Sequence, residues 1–275
     1  MKKRILVLIL LILAVLLYAC SKQDFSIVSS AYTYSDAKRY TAGGGKVTGD
    51  VEKIDISWID GKVEIAYHDG DDIVISENED NLETDKQLHW LVDGDTLYVK
   101  YAASGFKTMK NLNKALSVKL PKGIKLDDVV MNTVSSNVQM RELAVKKINI
   151  ETVSGDVEGM LTQADDVRIH TVSGSVSMTA KQVEAVTVST VSGKAAFRFE
   201  TAAKKMNFDS VSGDVTIYLP EDAGFYAKMD SVSGDVGGNL PMERKNEETY
   251  TSGDESCRIN INTVSGDAKL QKIEK

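Results

Sequence analysis

Cysteine, proline and histidine are scarce in this 275-residue chain, at two, three and three copies. Two cysteines, Cys20 and Cys257, exclude a disulfide-stapled scaffold, which needs several bridges. Three prolines and 20 glycines exclude a collagen-like or low-complexity chain. Basic charge is also short. The formal net charge of −7 becomes −10 once Lys2, Lys3 and Arg4 at the N-terminus are set aside. So acidic a surface excludes nucleic acid as a partner, because phosphate binding needs a basic stripe. What is present is a globular composition, 42% apolar and 27% charged, with enough Val, Thr and Ser to lean towards β structure.

The N-terminus carries an address. Three basic residues precede an apolar run from Ile5 to Leu17, followed by Tyr18, Ala19 and Cys20. That run is shorter than the roughly 20 residues of a membrane-spanning helix and suits a signal-peptide core. Leu17, Ala19 and Cys20 resemble a bacterial lipobox, although Tyr18 is bulkier than usual there. The resemblance implies cleavage after residue 19 and fatty acylation (diacylglyceryl, palmitate-type) of the Cys20 thiol. An ordinary secretory signal or an uncleaved short anchor are the alternatives. With Cys20 lipidated, Cys257 has no partner and reads as a buried, inert thiol at a strand start. The mature protein is then expected at the extracytoplasmic face of a cell membrane.

The rest of the chain is a repeat. One phrase recurs as TVSSN at 133, TVSGD at 152, TVSGS at 171, TVSGK at 190, SVSGD at 210 and 231, and TVSGD at 263. The spacings are 19, 19, 19, 20, 21 and 32 residues. A period near 20 marks a solenoid whose units must stack to bury their apolar faces. Around each phrase the period drops to two, as in KINIET before it and DVTIYL after it, which predicts strands with one buried face. In KINIET the inward set is Ile148, Ile150 and Thr152. The Ser-Gly-Asp element is turn chemistry, and Gly155, Gly174, Gly193, Gly213, Gly234 and Gly266 are expected at stacked turns with positive φ and close backbone approach.

An antiparallel meander of hairpins is the competing reading. The near-constant spacing favours coils, in which equivalent residues stack about 4.8 Å apart. The predicted fold is therefore an all-β, right-handed parallel β-solenoid (β-helix) with coils of about 19–21 residues. Its expected parts are a signal peptide over 1–19, a lipidated flexible tether over 20–45, degenerate coils over 46–130, regular coils over 131–270 and a tail over 271–275.

Trp58-Ile59-Asp60-Gly61-Lys62-Val63-Glu64-Ile65, LHWLVDGDTLYVKY, LSVKLPKG and the TVSGD phrases, in that order, resemble the bacterial family called "putative adhesin" across about residues 47–270. The resemblance implies a β-solenoid at the cell envelope that binds or acts as a scaffold. It carries over no ligand and no active-site residue.

Candidate chemistry is thin. Asp156, Asp214, Asp235 and Asp267 would form a carboxylate column, but Asn137, Ser175 and Lys194 interrupt it, so no metal site is expected. Parallel β-helices include polysaccharide-cleaving enzymes, which need clustered carboxylates or a carboxylate with a base. Here His68, His89 and His170 fall on different coils and read as surface residues, and no nucleophile or phosphate-loop motif is present. No catalytic residue and no cofactor is expected. The phrase valines are either an outward apolar ridge or, as the favoured reading, core residues at a corner. The long last spacing, in a charge-dense stretch, reads as a neutral insertion before it reads as a recognition loop. The partners expected are the membrane, through Cys20, and an envelope protein or glycan. A carbohydrate-active enzyme and an envelope-stress regulator are the alternatives.

Overall fold

The computed structural model describes residues 32–79, 81–107 and 112–274, so the signal peptide and Cys20 lie outside the described residues. The described chain is all-β apart from one short 3-10 turn at Ala37–Arg39. The alternation produces strands that pair in parallel with their own copies. Val157–Thr171 runs beside Val176–Thr190 with Val157 opposite Val176 and Thr171 opposite Thr190. The next partners are Ala195–Phe199 and Lys205–Ser210. Each coil is thus a strand, the phrase as a corner, a second strand, and a bend into the next coil.

Period two sorts the side chains. Ile148, Ile150 and Thr152 are buried while Asn149 and Glu151 are half-buried on the outer face. Inward columns run rung to rung, for example Ile150, Ile169, Val188, Phe208, Ile261 and Met229. Phe208 meets Phe197 edge-to-face at 5.2 Å across the interior. Burying each such side chain contributes about 1.5–3 kcal/mol to holding the coils together.

The copies do not stack in chain order. The last coil, Cys257–Thr263 and Ala268–Lys272, lies between the two before it. Cys257–Thr263 pairs with Lys205–Ser210 on one side and Phe225–Ser231 on the other. Ala268–Lys272 is flanked by Val215–Leu219 and Val236–Gly238. Side-chain amides knit the intercalated coil in: Asn260 Nδ2 donates to Asn207 Oδ1 and Asn262 Nδ2 to Asp209 Oδ1, both at 2.9 Å. The long final spacing holds the chain reversal that this intercalation needs. Its strand Thr249–Ser252 runs antiparallel to Phe225–Ser231 and carries the chain back for insertion.

The N-terminal end does the same. Lys53–His68 sits between Asp128–Ala144 on one side and Thr96–Lys100 with Ala115–Pro121 on the other. Its Asp60-Gly61-Lys62 pairs with Ser135, Ser136 and Asn137, so the degenerate unit and the first phrase are in register. Residues 46–130 are not all parallel coils, however. Ile73–Glu77 and His89–Asp93 pair antiparallel and cover that end. The expected tether is also shorter than 20–45. Tyr32 is buried and bridges Phe106, and Thr41–Ala42 and Gly45–Val47 add the outermost rungs. Tyr32, Tyr34 and Tyr40 pack ring on ring, an apolar contact a free tether cannot make.

Candidate binding face

Apart from the valine, the residues of the recurring phrase have structural tasks. The Thr or Ser that opens it is turned inward, and its hydroxyl accepts the glycine N–H three residues on: Gly174 to Thr171 and Gly193 to Thr190, both at 2.9 Å. The central Ser donates its hydroxyl to the valine carbonyl of the neighbouring coil, as Ser173 does to Val153 at 3.2 Å. The closing Asp accepts a backbone N–H from the next rung, as Asp156 Oδ1 does from Ser175 at 2.8 Å and Asp214 Oδ1 from Asp267 at 3.1 Å.

The glycines correct the expected turn chemistry. None of Gly155, Gly174, Gly193, Gly213, Gly234 and Gly266 is among the residues at positive φ, which include Gly61 at 86°. Close approach is what requires them. A Cβ on Gly193 would lie 1.9 Å from the Gly174 carbonyl oxygen, and one on Gly213 1.8 Å from that of Gly193. The bare backbones form a ladder at the corner.

Because the opening Thr points in, the valine after it points out. Thr171 is fully buried, whereas Val153 is 40% and Val232 51% exposed. Val134, Val172, Val191, Val211 and Val264 are partly covered by their neighbours in the same column. Val153 and Val232 therefore do not enter the core as expected: alternation carries the valine outward, the Ser after it faces out as well, and the glycine then turns back in, while Val134 packs against the core from its edge. Beside the ridge runs a polar column of Glu151, His170, Ser189, Asp209, Asn262 and Asp230 in adjacent rungs. This is the outer face of the strands that precede the corner.

Within that column His170 Nδ1 is buried without a hydrogen-bond partner. Burial holds the imidazole below its ordinary value of 6.5, against the opposing pull of Glu151. Burial likewise pushes the Asp209 carboxyl up, with the Asn262 amide pulling it down. An unfolded His170 takes a proton at about pH 6.5 and the folded one does not, so stability contributed by the neutral ring is lost as pH falls below that value. Asp209 acts oppositely, in a lower window between its ordinary and its raised value. Thermal unfolding between about pH 7.5 and 5.5 should show a decline that is shallower in His170→Asn.

Asp156, Asp214 and Asp267 accept backbone N–H groups of neighbouring rungs, while Asp235, on the last rung, contributes its own N–H to Asp267. An amide oxygen serves equally, so Asp156→Asn, Asp214→Asn and Asp235→Asn together should change urea-unfolding stability by less than about 1 kcal/mol. Asp214 also pairs with Lys194 at 3.1 Å, on side chains too exposed for the pair to matter much. Among the described residues no three His, Cys, Asp or Glu side chains converge to hold a metal.

The three histidines stay on separate coils. His89 departs from the surface reading, being only 8% exposed with Nδ1 3.0 Å from the Gln87 carbonyl. Cys257 is buried, and burial pushes its thiol up to about 12, which leaves it unreactive at neutral pH.

A second polar cluster has no counterpart in the sequence reading. Lys114 is fully buried, its Nζ 2.7 Å from Glu77 Oε2 and 2.6 Å from the Lys86 carbonyl. Its ammonium lies over the Tyr101 ring at 4.5 Å and the Trp58 ring at 5.1 Å. The Tyr101 hydroxyl donates to Asp60, and Trp58 Nε1 donates to the Lys114 carbonyl. The signal was present: Lys114 continues the inward alternation of Leu116, Val118 and Leu120. With all its donors engaged, the cluster fastens the end cap to the first coil.

These features define an all-β, β-solenoid-like stack with strand-covered ends and one ridged outer face. The family model Toastrack DUF4097 matches residues 51–198 and again 173–271, and the chain belongs to that family. Similar solved structures include a "putative cell adhesion protein" from Clostridium sporogenes, 16% identical, covering 85% of this chain and 100% of that one with a TM-score of 0.38. A "putative adhesin" from Bacteroides fragilis is 13% identical, with coverage of 86% and 98% and a TM-score of 0.44. A "putative lipid binding protein" from Parabacteroides distasonis is 15% identical, with coverage of 86% and 97% and a TM-score of 0.45. Among curated proteins none matches the chain.

Proposed function

We propose that this protein is a lipid-anchored, extracytoplasmic binding or scaffold module of the cell envelope, without catalytic activity. Its coils wind right-handed with about 19–21 residues each. Cys20 holds it to the membrane, and the outer valine face contacts an envelope protein or glycan. One observation carries the reading. The Ser and Asp of the phrase bond to neighbouring coils and its opening Thr closes its own corner, which leaves the valine column as the repeated apolar feature on the outer face. An apolar edge rimmed by polar side chains is the form of a contact surface.

Two measurements test this. Wild-type protein should partition with membranes and take up labelled palmitate, and Cys20→Ala should lose the label; equal labelling overturns the anchor. Val153→Arg with Val191→Arg should fold normally and lose retention on isolated cell-wall glycan or on solubilised envelope proteins. Undiminished retention places the contact elsewhere.

A further inference from the structure

The outer face of the strands that follow the corner carries a groove of about 410 Å³ near the intercalated coil. The register explains why it is there. On one outward column Ala196 is followed by Thr216, Lys269 and Gly237; on the next Arg198 is followed by Tyr218 and Gln271. At the last rung, Val236–Gly238, the first of these columns ends in Gly237, and the missing side chain opens the surface beside Lys269. Its volume falls within the roughly 300–1,000 Å³ of small-ligand sites.

The lining is basic on a protein that is acidic overall. Arg198, Lys269 and Lys272 face the groove, with Glu274 the one acidic side chain among its lining residues. Lys269 is balanced by Asp267 at 2.6 Å. Arg198 and Lys272 have no ion-pair partner within 4.0 Å among the described residues, although Lys272 also borders the adjoining groove beside Glu200, Glu221 and Asp222. The Arg198 guanidinium instead rests over the Tyr218 ring at 5.1 Å, which fixes it while leaving its N–H fork free. A half-buried guanidinium held by an aromatic face, with a second cation, a hydroxyl from Thr216 and the Asn239 amide nearby, is a donor set for an oxyanion.

We propose that this groove binds an oxyanion, a phosphate or a carboxylate carried on a polyol or a sugar. The fork of Arg198 takes the oxygens, Lys272 supplies the second charge, and the amides and hydroxyl at the floor receive the polyol. The inference rests on the groove and not on the valine ridge.

Calorimetric titration of the full chain in detergent tests it, with inorganic phosphate, glycerol 3-phosphate and glucuronate as probes. At least one should bind saturably at one site, more weakly as salt is raised. Arg198→Gln with Lys272→Gln should weaken that binding tenfold or more. Arg198→Lys, which keeps the charge and loses the fork, should fall between. Arg168→Gln, at a side chain already paired with Asp166 on the ridge face, should leave it unchanged. The preferred probe distinguishes a phosphate source from a uronate one. Absence of saturable binding of all three, or equal binding by the double variant with wild-type melting behaviour, overturns the proposal.

Discussion

Gly193→Ala is expected to destabilise the protein by about 3 kcal/mol, the upper end of what overpacking by a methyl group costs. The new Cβ would fall 1.9 Å from the Gly174 carbonyl oxygen and 2.7 Å from its carbon, both backbone atoms held in a ladder. Neither can step aside. Ladder bonds set the rung spacing near about 4.8 Å, and making room means opening that spacing on one side of the corner. Opening it strains the bonds from Gly193 N–H to Thr190 and from Ser192 to the Val172 carbonyl. Fewer unfolded conformations for alanine would offset about 0.4–1 kcal/mol, too little to matter. In urea the midpoint should fall, with the melting temperature lower by about 10 °C. A wild-type midpoint would mean that the corner is not close-packed.

Lys114→Met is expected to cost about 3–5 kcal/mol, because it leaves the Glu77 carboxylate buried without its cation. Burial already holds the lysine below its ordinary value, with Glu77 opposing that shift, so the site tolerates the ammonium only while the pair is whole. Replacing both partners, Lys114→Met with Glu77→Leu, should recover most of the loss, since an apolar pair of similar volume has no charge to desolvate. A double variant as unstable as the single one would show that the carbonyls of Lys86 and Tyr101, with the Leu88 N–H that Glu77 accepts, outweigh the ion pair. Chemical denaturation of the three proteins decides between these outcomes.

Much of this architecture is legible in the sequence because its causes are local. Alternation along KINIET places Ile148, Ile150 and Thr152 inside without knowledge of any neighbour, and the structure agrees. The valines show the limit of such reasoning. The same alternation, carried one residue past Thr152, puts Val153 outside; only the expectation of a bend argued otherwise. Of the two reasons the stacked phrase offers for its glycines, the close backbone approach holds and the positive φ does not; the 1.9 Å distance that sets it belongs to another coil. Lys114 is not legible from its own stretch, because a lysine in an apolar register is explained only by distant partners, Glu77 at 37 and Trp58 at 56 residues away in the chain.

By itself, then, the sequence determined strands, corners, inward faces and a stack with a period near 20, since hydrophobic alternation and turn chemistry act within a few residues. Which coil lies against which was decided only in the tertiary structure. Near-identical units offer near-identical ladders, so any copy can pair with any other, and the sequence of a single copy does not say which neighbour it takes. The chain resolves this by reversing at Thr249–Ser252 and inserting Cys257–Thr263 between two earlier strands, as Lys53–His68 is enclosed at the other end. Insertion gives both coils a hydrogen-bonded neighbour on each edge, where stacking in order would have left one edge of each open.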